Sequence, residues 1–126
     1  LEDLDAIRAW GAGARRAAVI GGGLLGLEAA KAVLDMGLET HVVEFAPRLM
    51  PRQVDAGGGE VLRRSIERLG VRVHVGVQSE AIAGDERVRS LRLEGGAEIP
   101  VDMVIVSAGI RPRDELARAA GLAVGE

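Results

Sequence analysis

Cysteine is absent from the 126 residues, which excludes disulfides, thiolate metal sites, iron–sulfur clusters and redox-active dithiols within this segment. No run of about 18 apolar residues occurs, so no membrane-spanning helix is expected. The amino end, Leu1-Glu2-Asp3-Leu4-Asp5, is acidic and lacks the shape of a signal peptide, which leaves a cytoplasmic setting and no membrane partner as the expectation. A basic surplus is lacking too. Lys and Arg number 16 against 19 Asp and Glu, for a net charge of −3, and the arginines are scattered, so nucleic acid is not an expected partner. No internal repeat or low-complexity tract stands out. With 48% hydrophobic and 28% charged residues, the chain has the composition and length of one ordinary globular domain, residues 1–126. It begins with Leu rather than Met, from which we expect a segment excised from a longer polypeptide.

The periodicity gives an α/β order. Leu1, Leu4, Ile7 and Trp10 recur at helical spacing and predict a lead-in helix that stops at Gly11-Ala12-Gly13. Arg15 to Ile20 reads as a strand running into Gly21-Gly22-Gly23, and Leu24 to Met36 as a helix with Leu27, Ala30 and Leu34 on its apolar face and Gly37 at its stop. Glu39 to Phe45 is β-prone, completing a β-α-β unit. After a loop holding Pro47 and Pro51, Asp55 caps a predicted helix with Val61, Leu62, Ile66 and Leu69 at helical spacing, weakened at its start by Gly57-Gly58-Gly59 and closed by Gly70. Val71, Val73 and Val75 alternate with Arg72 and His74, as in a strand half exposed on one face.

The pieces Ala81–Ala83, Val88–Leu93 and Ala97–Ile99 predict a small antiparallel meander. Met103 to Val106, inside the stretch Val101 to Val106, is wholly apolar and suits a buried parallel strand, with a short tail helix from Arg111. The fold class is therefore α/β, a Rossmann-like, mainly parallel sheet with flanking helices and a small antiparallel β-meander.

Gly21-Gly22-Gly23-Leu24-Leu25-Gly26 matches G-x-G-x-x-G, a pattern of little weight alone. Here it follows a strand and opens a helix, and Glu44 ends the next strand 18 residues beyond Gly26, so the full context of a dinucleotide fingerprint is met. Gly21 can take the tight turn, Gly23 lets backbone approach a diphosphate, and Gly26 lets the helix pack on the strand. Amides of Gly22 to Leu25 would hold the diphosphate at the positive end of the helix dipole. Glu44 would accept from the ribose hydroxyls and repel a 2′-phosphate, which favours NAD(H) over NADP(H). The plain alternative is a glycine turn that only packs helix on strand, with Glu44 a solvated strand end. Phe45 and Arg52 join the candidate cofactor-binding set. A guanidinium at Arg48 or Arg52 could pair with a 2′-phosphate; a solvated loop charge is the plainer reading of Arg48, and both readings stand for Arg52.

Val19-Ile20-Gly21-Gly22-Gly23-Leu24-Leu25-Gly26-Leu27-Glu28 resembles the NAD-binding domain of pyridine-nucleotide-disulfide-type flavoprotein reductases. Residues 44–55, from Glu44-Phe45-Ala46-Pro47 to Gln53-Val54-Asp55, look most like the versions in the large subunit of NAD(P)H nitrite reductases and in rubredoxin or ferredoxin reductases. The ending Val104-Ile105-Val106-Ser107-Ala108-Gly109-Ile110-Arg111-Pro112 is similar to the segment that returns to the flavin domain in that family. The resemblance implies NAD(H) bound in this chain and FAD held by another domain of the same parent polypeptide, an NAD(P)H-dependent, nitrite reductase-like oxidoreductase. No flavin fingerprint lies in this chain, so it would bind nucleotide and catalyse nothing by itself.

Glu28, taken as lying in the first helical turn, would gain about 0.3–1 kcal/mol from the dipole. The resemblance implies that it also borders the nicotinamide. Gly109 is either a turn glycine or a place where backbone passes the nicotinamide side, and the binding of ligands beyond the carboxyl ends of strands favours the second. Arg113 stands where the family often has Asn, and the triplet at 57–59 is unusual. His41 and His74 sit on separate strands without a ligand cluster and are read as structural, and Ser107 lacks the context of a nucleophile. Two alternatives stay open: a free-standing NAD(H)-binding module without a redox role, and a related domain that binds FAD.

Overall fold

The protein was analysed as a computed structural model that describes residues 2–109 and 113–125. In chain order its elements are α1 (Glu2–Gly11), β1 (Arg16–Ile20), α2 (Leu24–Asp35), β2 (Glu39–Glu44), α3 (Ala56–Arg68), β3 (Val71–Val75), β4 (Ser79–Gly84), β5 (Val88–Leu93), β6 (Glu98–Pro100), β7 (Met103–Val106) and α4 (Glu115–Ala119). Four strands form a parallel sheet in the order β3-β2-β1-β7, and three form an antiparallel sheet in the order β4-β5-β6. The expected α/β class, β-α-β unit and meander are all present. No helix among the described residues is long and apolar enough to cross a membrane.

The parallel sheet is buried on both faces at its centre, and the alternation of side chains sorts the core into layers. Val19, Val42, Val71 and Val73 face α2 and α3, where Ala30, Leu62 and Ile66 meet them. Ala18 and Val43 face the meander and pack with Leu91, Leu93, Ile99 and Val101. Between two covered faces, β1 has no solvated side, which accounts for its wholly buried run Ala17-Ala18-Val19. Asp102 fixes where that strand begins, its Oδ2 accepting from the amides of Arg15 and Arg16 at 2.9 Å each.

Three expectations change. β7 pairs with β1 alone among the described residues, so it is an edge strand and Val106 is 66% exposed rather than buried. On α3, Leu62 and Ile66 face the sheet while Val61 and Leu69 point to solvent, because Gly59, three residues before Leu62, sets the buried stripe. The glycine triplet lies in the first turn of α3 as expected, under the expected cap: Asp55 Oδ1 accepts from the Gly58 amide at 2.7 Å, which compensates for weak helix formers. The tail helix begins at Glu115 instead of Arg111, and Ile110, Arg111 and Pro112 lie outside the described residues, as does Leu1.

α2 sits on the sheet through Gly26, Ala30 and Val33, spaced i, i+4, i+7. At Gly26 the approach is so close that a Cβ would lie 1.9 Å from the carbonyl oxygen of Gly21. Backbone cannot yield there as a flexible side chain could.

His41 and His74, on the adjacent strands β2 and β3, meet on the meander side of the sheet. Nδ1 of His41 lies 3.1 Å from Nε2 of His74, and the ring centroids are 5.3 Å apart with planes within 7°. That centroid separation is close to the N···N distance plus a ring radius at each end, so the rings meet edge to edge through one N–H···N bond. Glu39 lies 3.4 Å from the other nitrogen of His41 and takes an ion pair from Arg72 at 2.9 Å. Burial is the main cause that lowers both histidine pKa values. For His41 the hydrogen bond to Glu39 partly opposes it; for His74 the neighbouring His41, Arg72 and Arg63 reinforce it.

Gly26→Ala is expected to destabilise the chain at or above the upper end of the roughly 1–3 kcal/mol that overpacking costs, read from urea unfolding midpoints. Below the ordinary histidine value of 6.5 the unfolded chain takes up protons that the folded His41–His74 pair refuses. The unfolding free energy should therefore fall as pH drops from about 6.5 towards the lowered folded values, and this pair should contribute no slope above that window. His74→Gln should flatten the decline below pH of about 6.5 in the same urea experiment.

Candidate functional site

Parallel strands deliver their carboxyl ends to one edge of the sheet, and there a cleft of about 1030 Å³ opens. One wall is the turn after β1, Gly21 and Gly23, continued by Leu24 and Leu25 at the start of α2. Glu44 and Phe45 at the end of β2 form the next wall, followed by Pro51, Arg52 and Gln53. Val77, Gln78 and Ser79 after β3, and Ser107, Ala108 and Gly109 after β7, close the rest. Eight of the residues singled out from sequence thus come together: Gly21, Gly23, Leu24, Leu25, Glu44, Phe45, Arg52 and Gly109. Gly22 and Gly26 stand behind the wall and shape it.

The turn itself is held tightly. Gly21 has φ +111°, and a Cβ there would lie 2.3 Å from the carbonyl oxygen of Ser107, so only glycine fits. Its amide donates to the Val43 carbonyl at 2.8 Å. The Gly22 amide donates to Glu44 Oε2 at 2.6 Å, and a Cβ on Gly22 would lie 2.6 Å from Leu49 Cδ2. This amide is already engaged, which takes Gly22 out of the run of free amides expected from Gly22 to Leu25.

Gly23 is extended, has nothing within 4 Å of a built Cβ, and caps α2 with no side-chain acceptor. The first turn of α2 holds no acid either, so its orphan N–H groups and the positive end of its dipole border the cleft without a side-chain cap. This corrects the placement of Glu28. It opens the second turn of α2, exposed and one turn along from Leu24 on the same face, outside the cleft lining and beyond the strongest reach of the helix dipole.

Glu44 is oriented from two sides. Besides the Gly22 amide on Oε2, its Oε1 accepts from the Ala46 amide at 2.7 Å, leaving each oxygen further acceptor capacity towards the cleft. Phe45 is 73% exposed at the mouth. Arg52 is exposed in the lining, whereas Arg48 is not the solvated loop charge that its surroundings in sequence had indicated. Its Nε donates to the Val54 carbonyl at 3.0 Å and its Nη2 to the Pro51 carbonyl at 3.2 Å, so it braces the loop from within. The histidine pair and Ser107 bring no metal set: no group of three or more potential metal ligands occurs among the described residues.

Sequence reasoning missed Val77, Gln78, Ser79, Ser107 and Ala108. The signal was available, because every parallel strand ends at the same edge and the segments after β3 and β7 must line it as the segment after β1 does. Pro51 and Gln53 carried no comparable signal.

Comparison with known proteins agrees with this geometry. The whole chain, residues 1–126, matches the family model described as pyridine nucleotide-disulphide oxidoreductase. The chain is 55% identical over 126 residues to the nitrite reductase [NAD(P)H] large subunit of Klebsiella oxytoca, covering 100% of this chain and 13% of that protein. It is 52% identical over 126 residues to the nitrite reductase (NADH) large subunit of Escherichia coli (strain K12), covering 98% of this chain and 15% of that protein. Among solved structures, a ferredoxin reductase from Rhodopseudomonas palustris superposes with a TM-score of 0.88 at 36% identity, covering 96% of this chain and 30% of that one. The chain therefore spans 13% to 30% of the length of these relatives. A glycine turn, an acid at the end of β2 and a meander in this order, over a match of full length, make this chain a member of the pyridine nucleotide-disulphide oxidoreductase family.

Proposed function

We propose that the chain is the NAD(H)-binding domain of a larger FAD-containing reductase of the nitrite reductase type, and that it presents NADH to a flavin held in another domain of the same polypeptide. The observation that carries this reading is the start of α2, where an open Gly23 and N–H groups that no side chain caps border the cleft, with no acid in the first helical turn. A diphosphate fits that chemistry. The amides of Gly23, Leu24 and Leu25 would hold it, since Gly22 has given its own to Glu44. The two oxygens of Glu44, fixed by the Gly22 and Ala46 amides, face the cleft as acceptors for a ribose diol and as a charge against a 2′-phosphate. Arg52 and Phe45 border that end. Gly109, with φ +113° and open space where a Cβ would stand, gives the opposite end a bare backbone rim, and Glu28 one turn into α2 is assigned to the nicotinamide side by the family resemblance alone.

The redox chemistry belongs to the cofactors, a hydride supplied by the nicotinamide and accepted by a flavin. What this chain's residues do is bind and orient. The sheet edge fixes the walls, and the exposed apolar Leu24 and Leu25 keep one wall dry. The relatives named for NADH or NAD(P)H nitrite reduction support that parent, and the family supports FAD as the second cofactor.

Glu44→Ala removes charged hydrogen bonds worth about 1.5–3 kcal/mol each, so the NADH dissociation constant should rise roughly ten- to hundredfold. Discrimination against NADPH should narrow in the same titration of nucleotide fluorescence. An unchanged preference between the two nucleotides would remove Glu44 from the ribose site, and a purified chain that is yellow with bound flavin would favour FAD as its ligand.

A further inference from the structure

The loop between β2 and α3 contains a corner that the reading above does not use. Met50 has φ +46°, the only non-glycine among the described residues with a positive φ. An unbranched side chain tolerates that region poorly and a β-branched one hardly at all. Such a conformation persists only where its surroundings hold it. Both polar atoms of the Met50 backbone are engaged, in opposite directions. Its amide donates to the Gly22 carbonyl at 2.9 Å, while its carbonyl accepts from the amides of Gln53 and Val54 at 3.0 and 3.1 Å. The first bond reaches the glycine turn. The second closes the small turn that carries Pro51, Arg52 and Gln53 into the opposite wall of the cleft.

The peptide units at Gly22 are consequently gripped from both sides, by Glu44 on the amide and by Met50 on the carbonyl. Leu49, wholly buried, fills the space beside Gly22 where any side chain would clash. Arg48 locks the far side of the corner by donating to the carbonyls of Pro51 and Val54.

We propose that Met50 is a positioning residue: its left-handed corner sets the separation between the glycine turn and the 51–53 wall, and so holds the cradle ready for a dinucleotide diphosphate. The proposal rests on the nucleotide-binding reading, yet its structural half, the coupling of residue 50 to Gly22, stands independently of any ligand. Electrostatic preorganisation of this kind matters because backbone amides favour an anion only when they need not be rearranged to meet it.

The test compares Met50→Val and Met50→Gly in the full chain, with NADH as probe and hydrogen exchange at the amides of residue 50 and Gly22 as a second readout. Valine resists the corner, so the NADH dissociation constant should rise at least about tenfold and both amides should exchange at least about tenfold faster. Glycine adopts the corner freely and should return both readouts most of the way to wild type. Ile99→Val, in the meander core away from the cleft, provides a general loss of stability and should move neither. The inference is overturned if Met50→Val leaves the Gly22 amide as protected as in wild type, or if Ile99→Val shifts affinity and exchange equally. A wild-type chain that fails to bind NADH would instead overturn the functional reading, and residue 50 would then be judged on exchange at Gly22 alone.

Discussion

The carboxylate of Glu44 on the amide of Gly22 ties the end of β2 to the turn that leaves β1, and the working edge of the sheet is organised around that bond. It depends on register. β1 and β2 pair in parallel with Ile20 opposite Val43, so the residue after each arrives at the edge together. A carboxylate there satisfies a glycine amide and keeps further lone pairs facing the cleft. Shorter side chains of the same charge would need the strands to close up, and a neutral one would leave a weaker bond.

Around that bond the structure spends glycine where close approach is required and rigid side chains where it is not. Gly21 and Gly26 let β1 and α2 come within backbone contact, which aims the start of the helix into the cleft. Leu49 and Arg48 then brace the loop on the other side. The strained residue, Met50, stands between the two. A left-handed non-glycine residue carries a cost of about 1–2 kcal/mol. Its presence beside a ligand-sized cleft agrees with the tendency of strain to gather at functional sites.

Much of this was legible in the sequence, because local patterns determined it. The strand-glycine-helix passage, the acid that ends β2, the Asp55 cap and the alternating valines of β3 each rest on spacing within a few residues. What stayed hidden depended on neighbours distant in the chain. The stretch Met103 to Val106 reads as a core strand by composition, and the exposure of Val106 at its end follows only from the place of β7 at the edge of the sheet. Arg48 could not be told from a solvated charge until the carbonyls of Pro51 and Val54 stood beside it. His41 and His74, 33 positions apart, become one hydrogen-bonded pair only through the register of β2 and β3. Counted from Leu24, where the sequence pattern and the backbone both begin the helix, Glu28 is the fifth residue and so opens the second turn, although its closeness to Gly26 suggests the first.

The walls of the cleft come from segments spread between residue 20 and residue 109, with the whole meander intervening before the last of them. None of these segments makes a concavity by itself. Each must travel back to the same edge, at the entropic expense of closing a long loop, before its neighbour has anything to face. The cavity is therefore a cooperative property of the chain, present when every strand has returned and lost when any one peels away.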